Sequence, residues 1–164
     1  MGTPDPRSAD GALRGSVPLR LVRRAAVALL LAFPIGAAWL TLNPDGWAIN
    51  RLNVQIWIML LGPVGLTGAV TPEQFATVMN VVLFLIPFTA VAILRPRWWW
   101  VLLGFAITCA IESWQWVIGS RDASLEDIVM NTLGAALGVA LGRWIVGRLH
   151  HPDARALDEE SGAR

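Results

Sequence analysis

Two polar pairs interrupt otherwise apolar stretches in the C-terminal half of this chain. Glu112 and Gln115 lie inside WWWVLLGFAITCAIESWQWVIG, residues 98–119. Asp127 and Asn131 lie at the head of the next apolar run, residues 128–147, which follows SRDASLED. Spacings of three and four residues put each pair on one face of a helix. An aspartate at mid-bilayer costs roughly 2.5–3.5 kcal/mol on insertion scales, so groups kept there must satisfy one another or be used. A desolvated acid such as Glu112 is a candidate proton donor or acceptor. Arg121, between the two runs, is its natural counter-charge and suits an anionic group.

Composition sets the scaffold that must hold these residues. The chain has 164 residues, 55% of them hydrophobic, with a mean hydropathy of +0.54. A soluble domain is normally less apolar. The class is therefore integral membrane, and the length allows one helical bundle. Cys109 is the single cysteine, which excludes an internal disulfide and argues against thiolate metal sites. The two histidines, His150 and His151, both fall in the tail, so no zinc or haem site is expected, nor any other metal or cofactor. The sequence shows no nucleophile–histidine pair and no phosphate-binding glycine loop, and nothing in it points to nucleic acid.

Residues 1–22, rich in Gly, Pro, Arg and Asp, read as a disordered cytoplasmic leader. Residues 23–149 form the membrane domain, and 150–164 read as a disordered cytoplasmic tail. The first apolar run, 25–42, exceeds the 7–15 residues of a signal-peptide core and is expected to be an uncleaved helix. Residues 78–94, 98–119 and 128–147 supply three more. The apolar run within 51–68 is short for a core of about 30 Å and broken by Gly62-Pro63 and Gly65, so it is expected to be interfacial or re-entrant; a fifth crossing is the alternative. Arginine placement decides between them. All 13 basic residues are arginines: five precede the first helix, two lie in the 95–97 turn, four follow Leu141, and Arg51 and Arg121 occupy the other two loops. Four crossings with both termini cytoplasmic place eleven inside. The expected fold is an all-α polytopic membrane bundle of about four transmembrane helices, in a bacterial cytoplasmic membrane.

At a rise of 1.5 Å per residue, Glu112 and Asn131 each lie about 10 Å below the outer surface, Gln115 about 6 Å and Asp127 about 4–5 Å. Adjacent antiparallel helices would then match Glu112 with Asn131 and Gln115 with Asp127. Asn80, near the start of the second helix, lands in the same outer half. The expected result is a polar outer-leaflet pocket capped by Arg121. Plainer readings stand beside it. Ser124-Leu-Glu-Asp127 resembles a helix cap, Asn80 and Asn131 are candidate interhelical hydrogen-bonding residues, and Glu112 is a candidate ion-pair partner for Arg121. Gly134, Gly138 and Gly142 make a stripe that lets helices approach closely, equally suited to an internal contact or a homo-oligomer.

The motif order Asn80-x3-Phe84-x2-Pro87, Glu112-x2-Gln115, Arg121, then Asp127-x3-Asn131-x2-Gly134-x3-Gly138 resembles the VanZ-like family of bacterial membrane proteins, over roughly residues 75–145. The sequence departs from the family pattern before the arginine, where Ser120 stands and Gly119 lies one step earlier. The resemblance implies a multi-helix membrane protein and carries the family's association with glycopeptide, specifically teicoplanin, resistance. Three functional readings follow. The first is a non-enzymatic protein that binds an amphipathic ligand, either an envelope lipid carrier or a lipoglycopeptide, through Asn80, Glu112, Gln115, Arg121, Asp127 and Asn131. The second is an enzyme on a lipid-linked envelope substrate, with Glu112 as acid/base and Arg121 stabilising charge. The third is a small transporter or scaffold whose polar cluster is structural. Membrane lipids are partners in all three.

Overall fold

A computed structural model describes residues 6–119 and 124–150, with side-chain surroundings for 19–119 and 124–149. The described residues are helical throughout their regular structure: α1 (Pro6–Leu42), α2 (Gly46–Leu61), a short 3-10 turn (Leu66–Gly68), α3 (Pro72–Leu94), α4 (Trp100–Ile118) and α5 (Leu125–His150). Four segments are long and apolar enough to cross a membrane: Leu19–Leu42, Pro72–Leu94, Trp100–Ile118 and Leu125–Leu149. The all-α bundle with four candidate spans matches the expectation. At 16 residues, α2 is about 24 Å long and falls short of the hydrocarbon core.

Several boundaries differ from the expected ones. α1 starts at Pro6, so its backbone runs through residues read above as a disordered leader; the stretch is rich in the helix formers Ala, Leu and Arg. Of the expected tail, residues 151–164 lie outside the described residues. α3 starts six residues ahead of the expected Val78 because Thr71-Pro72-Glu73-Gln74 is a complete start signal. Thr71 Oγ1 accepts from the Gln74 amide at 3.2 Å, and Gln74 Oε1 accepts from the Thr71 amide at 3.0 Å. Pro72 takes the first helical position, where its missing N–H costs nothing. α5 starts at Leu125 with Ser124 as its cap; Ser124 Oγ accepts from the Asp127 amide at 3.3 Å. α4 ends as expected at Gly119, whose φ of +64° is readily reached only by glycine.

The chain order sets the helix directions. The C-terminal end of α4 and the N-terminal end of α5 meet at one end of the bundle, where Ser124 donates its amide to Glu112 Oε2 at 2.9 Å. α1 arrives there as well, its Thr41 carbonyl accepting from Gln115 Nε2 at 2.8 Å. α2 is tied to the segment that opens α3 by Asn53 Nδ2, which donates to the Pro72 carbonyl at 3.2 Å, and by Trp57 Nε1, which donates to the Val70 carbonyl at 2.9 Å.

The closest packing joins α3 and α5. A Cβ built on Gly138 would lie 2.5 Å from the Leu85 carbonyl oxygen, and one on Gly142 would lie 2.5 Å from that of Thr89. Gly134 faces the Val81 carbonyl in the same way. Steps of four on one helix match steps of four on the other in the same direction, so α3 and α5 are parallel. The glycine stripe is therefore an internal contact. Beside it Phe84, Phe88, Ala92, Ala135 and Val139 form the main buried core, with Phe88 and Ala135 closing over Gly104 of α4. Ala26, Ala90, Ile93 and Val146 form a second core nearer the other end. Leu31, Ile35, Leu102, Val129, Leu133, Leu137 and Leu141 point outward, as lipid-facing residues of a membrane helix do. Because backbone atoms block any side chain at Gly138, Gly138→Leu is expected to destabilise the bundle by at least about 1–3 kcal/mol. Gly147→Leu, with nothing within 4 Å, should unfold at the wild-type temperature in the same detergent. Equal melting of the two variants would show that the stripe does not pack as described.

Candidate binding site

Toward the α4–α5 turn the core gives way to a cavity of about 320 Å³. All five helices contribute to its wall. Phe33, Ile49, Ile56, Phe75, Met79 and Ile86 are among its apolar residues, and Asn80, Glu112, Gln115, Asp127 and Asn131 give it a polar side. A second depression of about 450 Å³, lined by Gly46, Trp47, Glu73 and Thr77 among others, shares Asn50, Asn53, Ala76, Asn80 and Asp127 with the first. Five of the six ligand residues expected from the sequence thus surround one space. Arg121, the sixth, lies outside the described residues.

The polar residues are held differently from the two expected layers. Asn131 sits opposite Thr108, one turn deeper than Glu112, and donates from Nδ2 to Thr108 Oγ1 at 2.9 Å. Asp127 accepts at Oδ1 from Asn80 Nδ2 at 2.6 Å, the two being brought together by parallel α3 and α5. Gln115 reaches across to α1. Its acceptor, the Thr41 carbonyl, is one of the last-turn oxygens that a helix leaves without an internal partner. Thr77 Oγ1 adds a rim contact to Glu126 Oε1 at 3.1 Å. Ser124 caps α5 through the backbone amide of Asp127, while the Asp127 carboxylate lines the cavity and accepts from Asn80.

Burial shows which groups are committed to the interior. Glu112, Gln115 and Asn131 are 4%, 6% and 5% exposed. Among the described residues lining the two cavities, the charged side chains are Glu73, Glu112 and Asp127. Also among the described residues, no three His, Cys, Asp or Glu side chains gather as metal ligands. The site's chemistry is that of oriented carboxylates and carboxamides beside an apolar chamber.

Sequence reasoning missed Thr108, Asn50 and Asn53. Thr108 had a readable signal. Gly104, Thr108 and Glu112 recur every four residues, with Gln115 three further on, and all four are buried. Asn50 and Asn53 are three apart on α2, a segment treated as a surface piece, and nothing in their spacing connects them to α4 or α5.

Four helices long and apolar enough to span a membrane, with a polar-sided cavity between them and α2, define a multi-pass membrane protein. Its sequence matches the family model described as VanZ/LLP1 over residues 26–146, well over half of the chain, and the protein belongs to that family. No curated protein and no solved structure matches it.

The Glu112–Ser124 bond distinguishes two variants. Glu112→Gln keeps an acceptor for the Ser124 amide, whereas Glu112→Leu leaves that amide without this partner. Glu112→Leu is expected to cost about 1–3 kcal/mol more than Glu112→Gln, read as the difference in unfolding midpoint of the purified proteins.

Proposed function

We propose that the protein binds an amphipathic ligand in the interhelical cavity, with the ligand's polar part against Asn80, Glu112, Gln115, Asp127 and Asn131. The observation that carries this reading is the cavity's two-sided lining: an apolar chamber with a cluster of carboxylates and carboxamides on one side. Ligand pockets are mostly apolar with a few placed polar groups, and the volume falls within the range such pockets occupy. A cluster that only held helices together would need no such space beside it.

Charge supports one orientation. Among the described side chains, Asp45, Glu73, Glu112, Glu126 and Asp127 belong to the cavity end, and Arg20, Arg23, Arg24, Arg95, Arg97, Arg143 and Arg148 to the other, with Arg51 on α2. Under the positive-inside rule this distribution supports a proposed orientation with the arginine end and both termini in the bacterial cytoplasm and the cavity in the outer leaflet. Envelope lipid carriers and lipoglycopeptide antibiotics meet the protein there, and the family's association with teicoplanin makes the second class a direct candidate.

A strain lacking the gene, complemented at matched membrane abundance with wild type, Glu112→Gln or Arg121→Ala, tests the proposal. The expected outcome is a selective change in susceptibility to teicoplanin or to inhibitors of envelope-lipid cycling, restored by wild type and not by either variant. Full rescue by both variants would make the polar cluster structural.

A further inference from the structure

The deepest polar group of the cavity is only half used. Asn131 Nδ2 donates to Thr108 Oγ1, but Asn131 Oδ1 is buried and has no hydrogen-bond partner. A buried acceptor left unmade is costly and rare in native structures. The residue lines the 320 Å³ cavity, a space roughly ten times the ~30 Å³ that one water occupies in the liquid. A single bridging water would leave most of it empty.

The chemistry around this oxygen narrows what belongs there. Asn131 and Thr108 are neutral, and the Glu112 carboxylate one turn away already accepts from the Ser124 amide, so a cation brought to this depth would lose its hydration for little compensating charge. The charged residues among those described along the two cavities are acids, which disfavour a phosphate at the depth of Asn131 by charge repulsion; Arg121, expected at the mouth, lies outside the described residues. An uncharged hydroxyl meets neither penalty. Asn50, Asn53 and Thr77 continue toward the mouth with groups that both donate and accept, and Trp47 adds a flat apolar face.

We infer that the Asn131 carboxamide receives an uncharged hydroxyl donor, and that the ligand's polar part is a polyol or sugar rather than a phosphate. This rests on the ligand-binding reading above and specifies its headgroup. The apolar chamber takes the adjoining hydrocarbon.

The test uses the full chain in phosphatidylcholine nanodiscs doped with equal parts of glucosyl-diacylglycerol and phosphatidic acid of matched acyl chains. Native mass spectrometry then counts the lipids that leave with the protein. Wild type should retain the glucosyl lipid in about tenfold excess, the scale of one buried hydrogen bond left unmade. Asn131→Ala should bring the ratio toward one. Thr108→Val, which removes the interhelical hydrogen bond but keeps the Asn131 oxygen, should preserve the excess and so separates recognition from folding. Retention of lipid without a glucosyl preference, or with a preference for phosphatidic acid, would overturn the headgroup assignment while leaving ligand binding intact. A preference unchanged in Asn131→Ala would also overturn it, because the oxygen would then serve only hydration. Retention of neither doped lipid would remove the ligand-binding reading together with this one.

Discussion

The close approach of α3 and α5 is the constraint on which the rest of the bundle depends. Gly134, Gly138 and Gly142 let the two helices meet with backbone against backbone, at the carbonyls of Val81, Leu85 and Thr89. In lipid, where no hydrophobic force favours one apolar partner over another, such small-residue contact is a main source of association. It fixes the two helices as parallel and sets their register. That register places Asn80 beside Asp127, and it leaves Phe84 and Phe88, stacked with centroids 6.0 Å apart, to fill the core beneath. α4 and α1 then close over a pair whose relative position is already set.

The second constraint is polar satisfaction at low dielectric. Four polar side chains of the site each find a partner on a different element. Glu112 is met by the α5 cap, Gln115 by the end of α1, Asn131 by Thr108 and Asp127 by Asn80. These bonds tie the helix ends together around a space instead of collapsing it. The two cores provide apolar cohesion in the middle and at the arginine end, and the hydrogen-bonded ring provides it at the cavity end. The molecule can keep an open chamber because stability there comes from directional bonds rather than dense packing.

How much of this was legible depended on range. Helix count and most of the polar residues of the site could be read from hydropathy, arginine placement and three- and four-residue spacings, all of which are local. Gly119 marked a helix end for the same reason. The start of α3 was missed although its signal was local, because Thr71-Pro72-Glu73-Gln74 lies in a polar stretch that hydropathy alone assigns to a loop. The pairing of residues was a different matter. Depth placed Glu112 with Asn131 and Gln115 with Asp127, whereas the structure answers Gln115 from α1 and Asn131 from Thr108. Depth along a helix is a one-dimensional measure. The partner of Gln115 also depends on which helix stands on its azimuth, and no pattern within α4 encodes that. The participation of Asn50 and Asn53 was hidden for the same reason.

The separation of charge between the two ends has a consequence for the living membrane. An energised membrane, negative on its cytoplasmic side, does work of about 2.3 kcal/mol on each elementary charge carried through 100 mV. In the orientation proposed above, the described arginines apart from Arg51 lie on the negative side of that field and the described acids on the positive side. An inverted copy would hold every one of those charges against it. With that orientation, the voltage that powers the cell would add to the bias set by the arginines, and the addition would weaken as the membrane is depolarised.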